Sequence, residues 1–126
     1  MIAYLRGETG ADVVEALLVD NAEPCMAHVV NLCEVYYRAI MRSNKASAAS
    51  SIEDLKSMGL IVSDDFDEPF WRIVGEYKAH MDNSVPLADC VVGALADRID
   101  AEAVTADHPD FERIEAQGLC RVRFIR

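Results

Sequence analysis

Short apolar, β-prone runs alternate with amphipathic stretches along this chain. The runs Cys25 to Val30, Leu60 to Val62, Ala101 to Ala106 and Leu119 to Ile125 are predicted strands. Between them, apolar residues recur at three- and four-residue spacing, most clearly from Leu87 to Ile99, and this spacing predicts helices. Such alternation favours an α/β fold with three layers (α/β/α), in which helices cover both faces of a mainly parallel sheet.

The remaining segments complete this prediction. Helices are expected from Thr9 or Gly10 through Leu18, from an N-cap at Asn31 through Ile40, over Ile52–Met58 and Phe66–His80, and after His108-Pro109. Met1 to Leu5 is predicted to form an apolar turn, Asn21 to Pro24 a loop, and Arg42 to Ser51 a helical hairpin turn or a mobile loop. Asp64, Asp65, Asp67 and Glu68 are interpreted as a solvated helix start, because negative charge there complements the helix dipole.

Length and charge limit the classes of protein that are compatible with the sequence. A chain of 126 residues with 52% hydrophobic content predicts a single domain, residues 1–126. No apolar run approaches the length of a membrane span, and the first residues lack a signal-peptide pattern, so we expect a cytoplasmic protein without a membrane partner. A net charge of −10 argues against a broad basic surface for nucleic acid. Contact with a nucleic acid would then be local, or made through metal ions or a second subunit.

The four cysteines, Cys25, Cys33, Cys90 and Cys120, are too far apart in sequence for zinc-ribbon or thioredoxin-type motifs. Each has apolar neighbours. We expect reduced, buried thiols, as in a cytosolic protein.

Four acids are predicted to lie where strands end or helices begin. Glu34 and Asp89 fall in first helical turns, Asp107 follows a predicted strand directly, and Asp110 comes three residues later. In open parallel sheets the ligand site lies at the carboxyl ends of the strands, so these acids are candidates for one cluster. Acids in first turns also have a purely structural explanation, because they complement the helix dipole or act as caps.

Clustered carboxylates suit a hard divalent ion. Mg²⁺ prefers oxygen ligands, keeps several waters, and can activate water beside a phosphate. Metal affinity would fall as the pH drops, since protons compete for the same oxygens.

The sequence motifs around these acids are specific. Val85–Ala96 contains a Leu-Ala-Asp triplet that opens a helix of small apolar residues, and Ala103–Ile114 contains a strand ending in Thr-x-Asp before an Asp-Phe pair. Together with Asn31–Tyr37 and Ile2–Glu8, these segments resemble the motifs of the PIN domain family in order and distance, over nearly the whole chain. The similarity is strongest to the VapC-type toxins of bacterial toxin–antitoxin pairs.

This resemblance implies an endoribonuclease that depends on Mg²⁺ or Mn²⁺, acts on RNA, and is neutralised by an antitoxin protein. Carried over by residue, Glu34, Asp89 and Asp107 are the catalytic and metal-binding acids. Asp110 is an additional metal acid, and Thr105 and Asn31 are accessory polar residues; for Asn31 an N-cap role alone is an equal alternative.

The sequence departs from the family pattern at its start. The family's first strand is central in the sheet and ends in an Asp shortly before the segment that here begins at Ile2. We therefore expect an N-terminally truncated PIN-like domain that lacks this strand and its acid. Three explanations stay open: a misassigned start, a shortened chain, or a degenerate copy. A missing central strand would expose the edges of two strands, which predicts a rearranged sheet or a swapped homodimer.

Two functions follow as alternatives. The first is the metal-dependent ribonuclease, whose activity is impaired if catalysis requires the missing first acid. The second is a catalytically inactive PIN-like module that binds a protein partner.

Overall fold

The computed structural model describes residues 1–20 and 22–126, which form two compact units. The first unit consists of Met1–Asp64 and Arg126, and the second of Asp65–Ile125. The predicted loop that begins at Asn21 starts outside the described residues. That residues 1–126 act as a single domain stays a prediction.

Helices dominate both units. The first contains α1 (Ile2–Arg6), α2 (Ala11–Val19), β1 (Met26–His28), α3 (Val29–Arg42), α4 (Lys45–Ser57) and β2 (Ile61–Ser63). The second contains α5 (Glu68–His80), α6 (Leu87–Arg98), β3 (Glu102–Thr105), α7 (His108–Ala116) and β4 (Arg121–Phe124).

The strands pair in parallel, as the sequence predicts. In the first unit β1 pairs with β2, with Met26 opposite Ile61. In the second unit β3 pairs with β4, from Glu102 opposite Arg121 to Thr105 opposite Phe124. The α/β class with parallel strands is thus confirmed, but the described strands form two separate pairs rather than one continuous sheet. Among the described residues each of the four strands has one paired neighbour, and the lack of a central strand stays a prediction.

The core of the first unit lies between helices. Ala48 and Leu55 of α4 are fully buried, and Leu18 of α2 and Val35 of α3 are nearly so. Gly59 has a φ of 109°, and a Cβ there would lie 2.6 Å from the carbonyl oxygen of Leu18. Glycine is therefore required where α4 ends, for its backbone conformation and for the close approach of α2.

The second unit packs α5 and α7 against α6. Phe70, Val91 and Ile114 are fully buried, one from each of the three helices. A Cβ on Gly93 of α6 would lie 2.8 Å from the ring of Tyr77, so the absence of a side chain lets α5 approach closely. The hydroxyl of Tyr77 donates a hydrogen bond to the carbonyl oxygen of Leu119, which links α5 to the segment before β4.

Several local predictions were wrong. Residues 2–6 form a helix rather than a turn, and 45–57 form one helix rather than a loop followed by a short helix. The strand predicted over 25–30 ends at His28, and α3 begins at Val29. The N-cap of α3 is therefore His28, whose Nδ1 accepts a hydrogen bond from the N–H of Val30 at 3.2 Å, and not Asn31. Asn31 is buried within the first turn.

The expectation for the cysteines was correct in part. The four thiols are free, but only Cys90 is buried, while Cys33 is exposed. None of the helices among the described residues is long and apolar enough to span a membrane.

The acidic segment before α5 is a structural helix start. The carboxylate of Asp67 caps α5 by accepting a hydrogen bond from the N–H of Phe70 at 2.9 Å. It also forms an ion pair with Arg98 at 2.9 Å, and Asp65 pairs with the same guanidinium at 3.1 Å. Hydrogen bonds from Arg98, and then from the N–H of Phe70, hold the pKa of Asp67 below its usual value.

This lowered pKa predicts a pH-dependent contribution to stability. A carboxyl group with a depressed pKa in the folded state stabilises the fold above its unfolded pKa, and the contribution disappears as the pH falls through the folded value. D67N keeps a capping side chain but removes the charge. We expect D67N to lower the urea midpoint at pH 7, and the difference from the wild-type protein to shrink below about pH 3.9. An equal difference at pH 7 and at acid pH would show that the ion pair with Arg98 contributes nothing.

Candidate metal centre

Three of the predicted acids meet at one end of the β3–β4 pair. Asp89, Asp107 and Asp110 each place one carboxylate oxygen within 4.8 Å of the others. Asp89 and Asp110 are half-buried and Asp107 is exposed. The sequence therefore identified three residues that converge in space although the first lies eighteen positions before the second.

The chain segment between β3 and α7 places two of these acids. Asp107 is the N-cap of α7, and its carboxylate accepts a hydrogen bond from the N–H of Asp110 at 3.4 Å. Pro109 in the first turn favours helix initiation, because its fixed φ suits that position. Asp107 and Asp110 thus lie at adjacent positions around one helix N-terminus, where the helix dipole favours negative charge.

Thr105, the predicted accessory residue, forms a hydrogen bond with the backbone of Asp107. It is the last residue of β3, and its hydroxyl oxygen accepts a hydrogen bond from the N–H of Asp107 at 3.0 Å. The carbonyl oxygen of Thr105 accepts a second hydrogen bond from the N–H of Ile125, just after β4. Thr105 therefore fixes the backbone of Asp107 relative to the β3–β4 pair.

The side chain of His108 also stabilises the start of α7. Its ring stacks on Phe124 of β4, with centroids 4.1 Å apart and planes inclined by 9°. Its Nδ1 also lies 2.9 Å from a carboxylate oxygen of Glu112, one turn along the helix. Both contacts anchor the first turn of α7 and show His108 in a structural role.

The third acid, Asp89, lies in the first turn of α6. Its N–H donates to the carbonyl oxygen of Pro86 at 3.1 Å, and the N–H of Cys90 donates to the same oxygen at 3.2 Å. Cys90 is fully buried beside it, so the turn has a fixed orientation relative to the core. Burial raises the pKa of the Cys90 thiol, which is consistent with a neutral packing group rather than a ligand.

The donor set fits a hard divalent cation. Two oxygens bound side by side to Mg²⁺ at about 2.0–2.1 Å lie about 2.9 Å apart, and oxygens on opposite sides lie about 4.1 Å apart. The three carboxylate oxygens lie within 4.8 Å of one another, which is close to this range. Because Asp107 is exposed, coordination positions would remain open for water and for a substrate oxygen.

Glu34 and Asn31, the other predicted site residues, belong to the first unit. Glu34 is half-buried on α3, and its carboxylate accepts hydrogen bonds from Arg38 at 2.8 Å and 2.7 Å, one turn later on the same helix. Asn31 is buried three residues earlier. Within their unit the two residues share the first turn and a half of α3.

A family model described as PIN domain matches residues 1–117. The chain belongs to the PIN domain family. The match includes all the acids of the cluster as well as Glu34. No curated protein matches this PIN domain chain.

A solved structure shows the same fold. The PIN domain chain is similar to a chain in the crystal structure of VapBC2 from Rickettsia felis bound to a DNA fragment from their promoter, with a TM-score of 0.72. The two chains share 16% sequence identity, and the similarity covers 97% of this chain and 89% of the other. At this identity the comparison supports the fold, which agrees with the resemblance inferred from the motifs.

Proposed function

We propose that this PIN domain protein is an endoribonuclease of the VapC toxin type that depends on Mg²⁺ or Mn²⁺. The observation that carries the proposal is the convergence of Asp89, Asp107 and Asp110 on one spot. Each of these acids has a structural explanation when taken alone, because each lies in a first helical turn or at a cap. The structural explanation for each does not require that the three meet.

The proposed roles divide between binding and positioning. Asp89, Asp107 and Asp110 would hold the ion, and Thr105 would keep Asp107 in place through the hydrogen bond at 3.0 Å. When bound, the ion would activate water and offset the charge that develops on a phosphate. Glu34 is proposed as a further catalytic acid and Asn31 as an accessory residue, both on the family resemblance. Both contacts from Arg38 reach the same carboxylate oxygen of Glu34, Oε1.

The rest of the proposal concerns partners and location. The solved structure with the same fold is a complex of VapB with VapC, which supports an antitoxin protein as the partner of this chain. We also propose a homodimer, because β1 and β3 each have one paired neighbour among the described residues and a second copy can supply strands to open edges. We also propose a cytoplasmic location, which the free thiols and the resemblance to this class of toxins support.

The test is cleavage of a 5′-labelled single-stranded RNA by the purified chain with Mn²⁺, with Mg²⁺, and with excess EDTA. The proposal predicts fragments with either metal and intact RNA with EDTA. Intact RNA under all three conditions, combined with Mn²⁺ binding that depends on the acids, would favour the second function, an inactive PIN-like module that binds a protein partner. Equal cleavage with EDTA would contradict a metal-dependent reaction.

A further inference from the structure

The N-terminus of α6 is capped differently from the N-termini of α5 and α7. In the second unit, α5 begins with a capping carboxylate at Asp67 and α7 with one at Asp107. The N-cap of α6 is Pro86, which has no side-chain hydrogen bond to the helix. The direction of the first turn, and with it the carboxylate of Asp89, therefore depends on the packing of the buried Cys90 and on the segment that precedes Pro86.

That segment is a turn in an unfavourable backbone conformation. Asp82 and Asn83 both have positive φ, 48° and 60°, without being glycine. Residues with side chains visit this region at some cost, and two in succession require the surrounding contacts to hold them. Part of this support is local, since the N–H and the hydroxyl of Ser84 donate to the carbonyl oxygen of Met81 at 2.9 Å and 2.5 Å.

Further support comes from the side chain of Lys78 on α5. Its ammonium donates to the carbonyl oxygen of Asn83 at 3.2 Å and to that of Val85. One group thus binds the turn at the second left-handed residue and again at the residue before Pro86. Val85 is fully buried, so the carbonyl oxygen it presents to Lys78 has a fixed position.

We propose that Lys78 is a positioning residue of the metal site: by holding the carbonyl oxygens of Asn83 and Val85, it sets the start of α6 and directs Asp89 toward Asp107 and Asp110. This inference rests on the proposed metal-binding function and assigns a role to a residue outside the acids. Groups that orient a metal ligand from behind typically change metal affinity about 10- to 100-fold when they are removed.

If Lys78 acted only through its charge, its removal would change the metal affinity in the opposite direction. The thiol of Cys90, whose pKa is raised mainly by burial, is also influenced by Lys78, Asp89 and Asp110, so these three charges all lie within electrostatic reach of that thiol. Removing a positive charge there strengthens cation binding if charge alone matters. The positioning role predicts weaker binding, so the direction of the change separates the two.

The experiment measures the affinity of the full chain for Mn²⁺ alone by electron paramagnetic resonance, together with the melting temperature of the metal-free protein. K78M removes the ammonium but keeps the apolar stem, and K78R restores donors. K78Q, whose amide is too short to reach both carbonyl oxygens, decides the matter if K78M does not fold. The matched control is K56M, which removes a lysine whose ion pair with Glu53, at 2.9 Å, lies on the surface of α4.

We expect K78M and K78Q to weaken Mn²⁺ binding about 10-fold, K78R to recover most of the loss, and K56M to match the wild-type protein. Unchanged or tighter binding in folded K78M or K78Q overturns the inference. A lower melting temperature with unchanged affinity also overturns it, since that result indicates a purely structural role. If the wild-type protein itself does not bind Mn²⁺, the proposed function fails and this inference fails with it.

Discussion

Replacing Asp89 with asparagine is expected to abolish Mn²⁺ binding and metal-dependent RNA cleavage while the fold stays intact. Asparagine has nearly the same shape but carries no charge, so it is a poor ligand for a hard cation. We expect the affinity for Mn²⁺ to fall by at least about 100-fold. Removing a group that only supports a ligand lowers metal affinity by up to about that factor, so removing a ligand should cost at least as much. Isothermal titration with Mn²⁺ and the RNA cleavage assay measure the two losses.

The stability of D89N should change little. The substitution loses a favourable interaction with the dipole of α6, about 0.3–1 kcal/mol, but it also relieves repulsion among three neighbouring carboxylates. The matched control is D12N, because Asp12 also lies in the first turn of a helix, α2, and is exposed. If Asp89 only complements the helix dipole, both variants will bind Mn²⁺ as the wild-type protein does. That result would contradict the proposed metal site.

The largest loss of stability is expected for F70A. The ring of Phe70 is fully buried, and the guanidinium of Arg98 lies 5.3 Å from its centroid. Truncating a buried phenylalanine removes apolar contacts and leaves a cavity, which costs about 3–5 kcal/mol. Such a loss is a large part of the stability of a typical domain, so F70A should be partly unfolded at 37 °C. Urea denaturation followed by circular dichroism measures the change.

Phe66 provides a matched control for this prediction. Its ring contacts that of Phe70 edge-on, with centroids 5.5 Å apart, but it is 44% exposed. F66A removes the same group from the segment just before α5 without leaving an enclosed cavity, and we expect it to cost about 1 kcal/mol. Equal losses for F66A and F70A would show that α5 is not held to α6 through Phe70.

The sequence predicted most of this architecture because its signals are local and periodic. The spacing of apolar residues in 87–99 matches α6, and the proline after His108 marks the start of α7. The boundary between β1 and α3 was misplaced because Val29 and Val30 favour a strand, whereas the side chain of His28 caps the helix one turn earlier than Asn31 would. The continuous helix α4 was missed because its Ala- and Ser-rich first half has little apolar periodicity, although Ala48 packs in the core.

The site was predicted only in part, for a physical reason. Spacing placed Asp89, Asp107 and Asp110 at helix starts, and the family motifs supplied the grouping that spacing alone does not give. Lys78 has no such signal, because a lysine in the last turn of a helix is usually explained by the dipole. Its role depends on the left-handed conformations of Asp82 and Asn83, which the composition of the turn does not specify.

The proposed function depends on the convergence of Asp89, Asp107 and Asp110, so the most direct measurement is the location of a bound ion. Crystals of the full chain grown with Mn²⁺ and measured near the manganese absorption edge would show the ion in an anomalous difference map. We predict one strong peak with carboxylate oxygens of Asp89, Asp107 and Asp110 around it. A map with no peak at these three residues, or with the ion held by other groups, would contradict it.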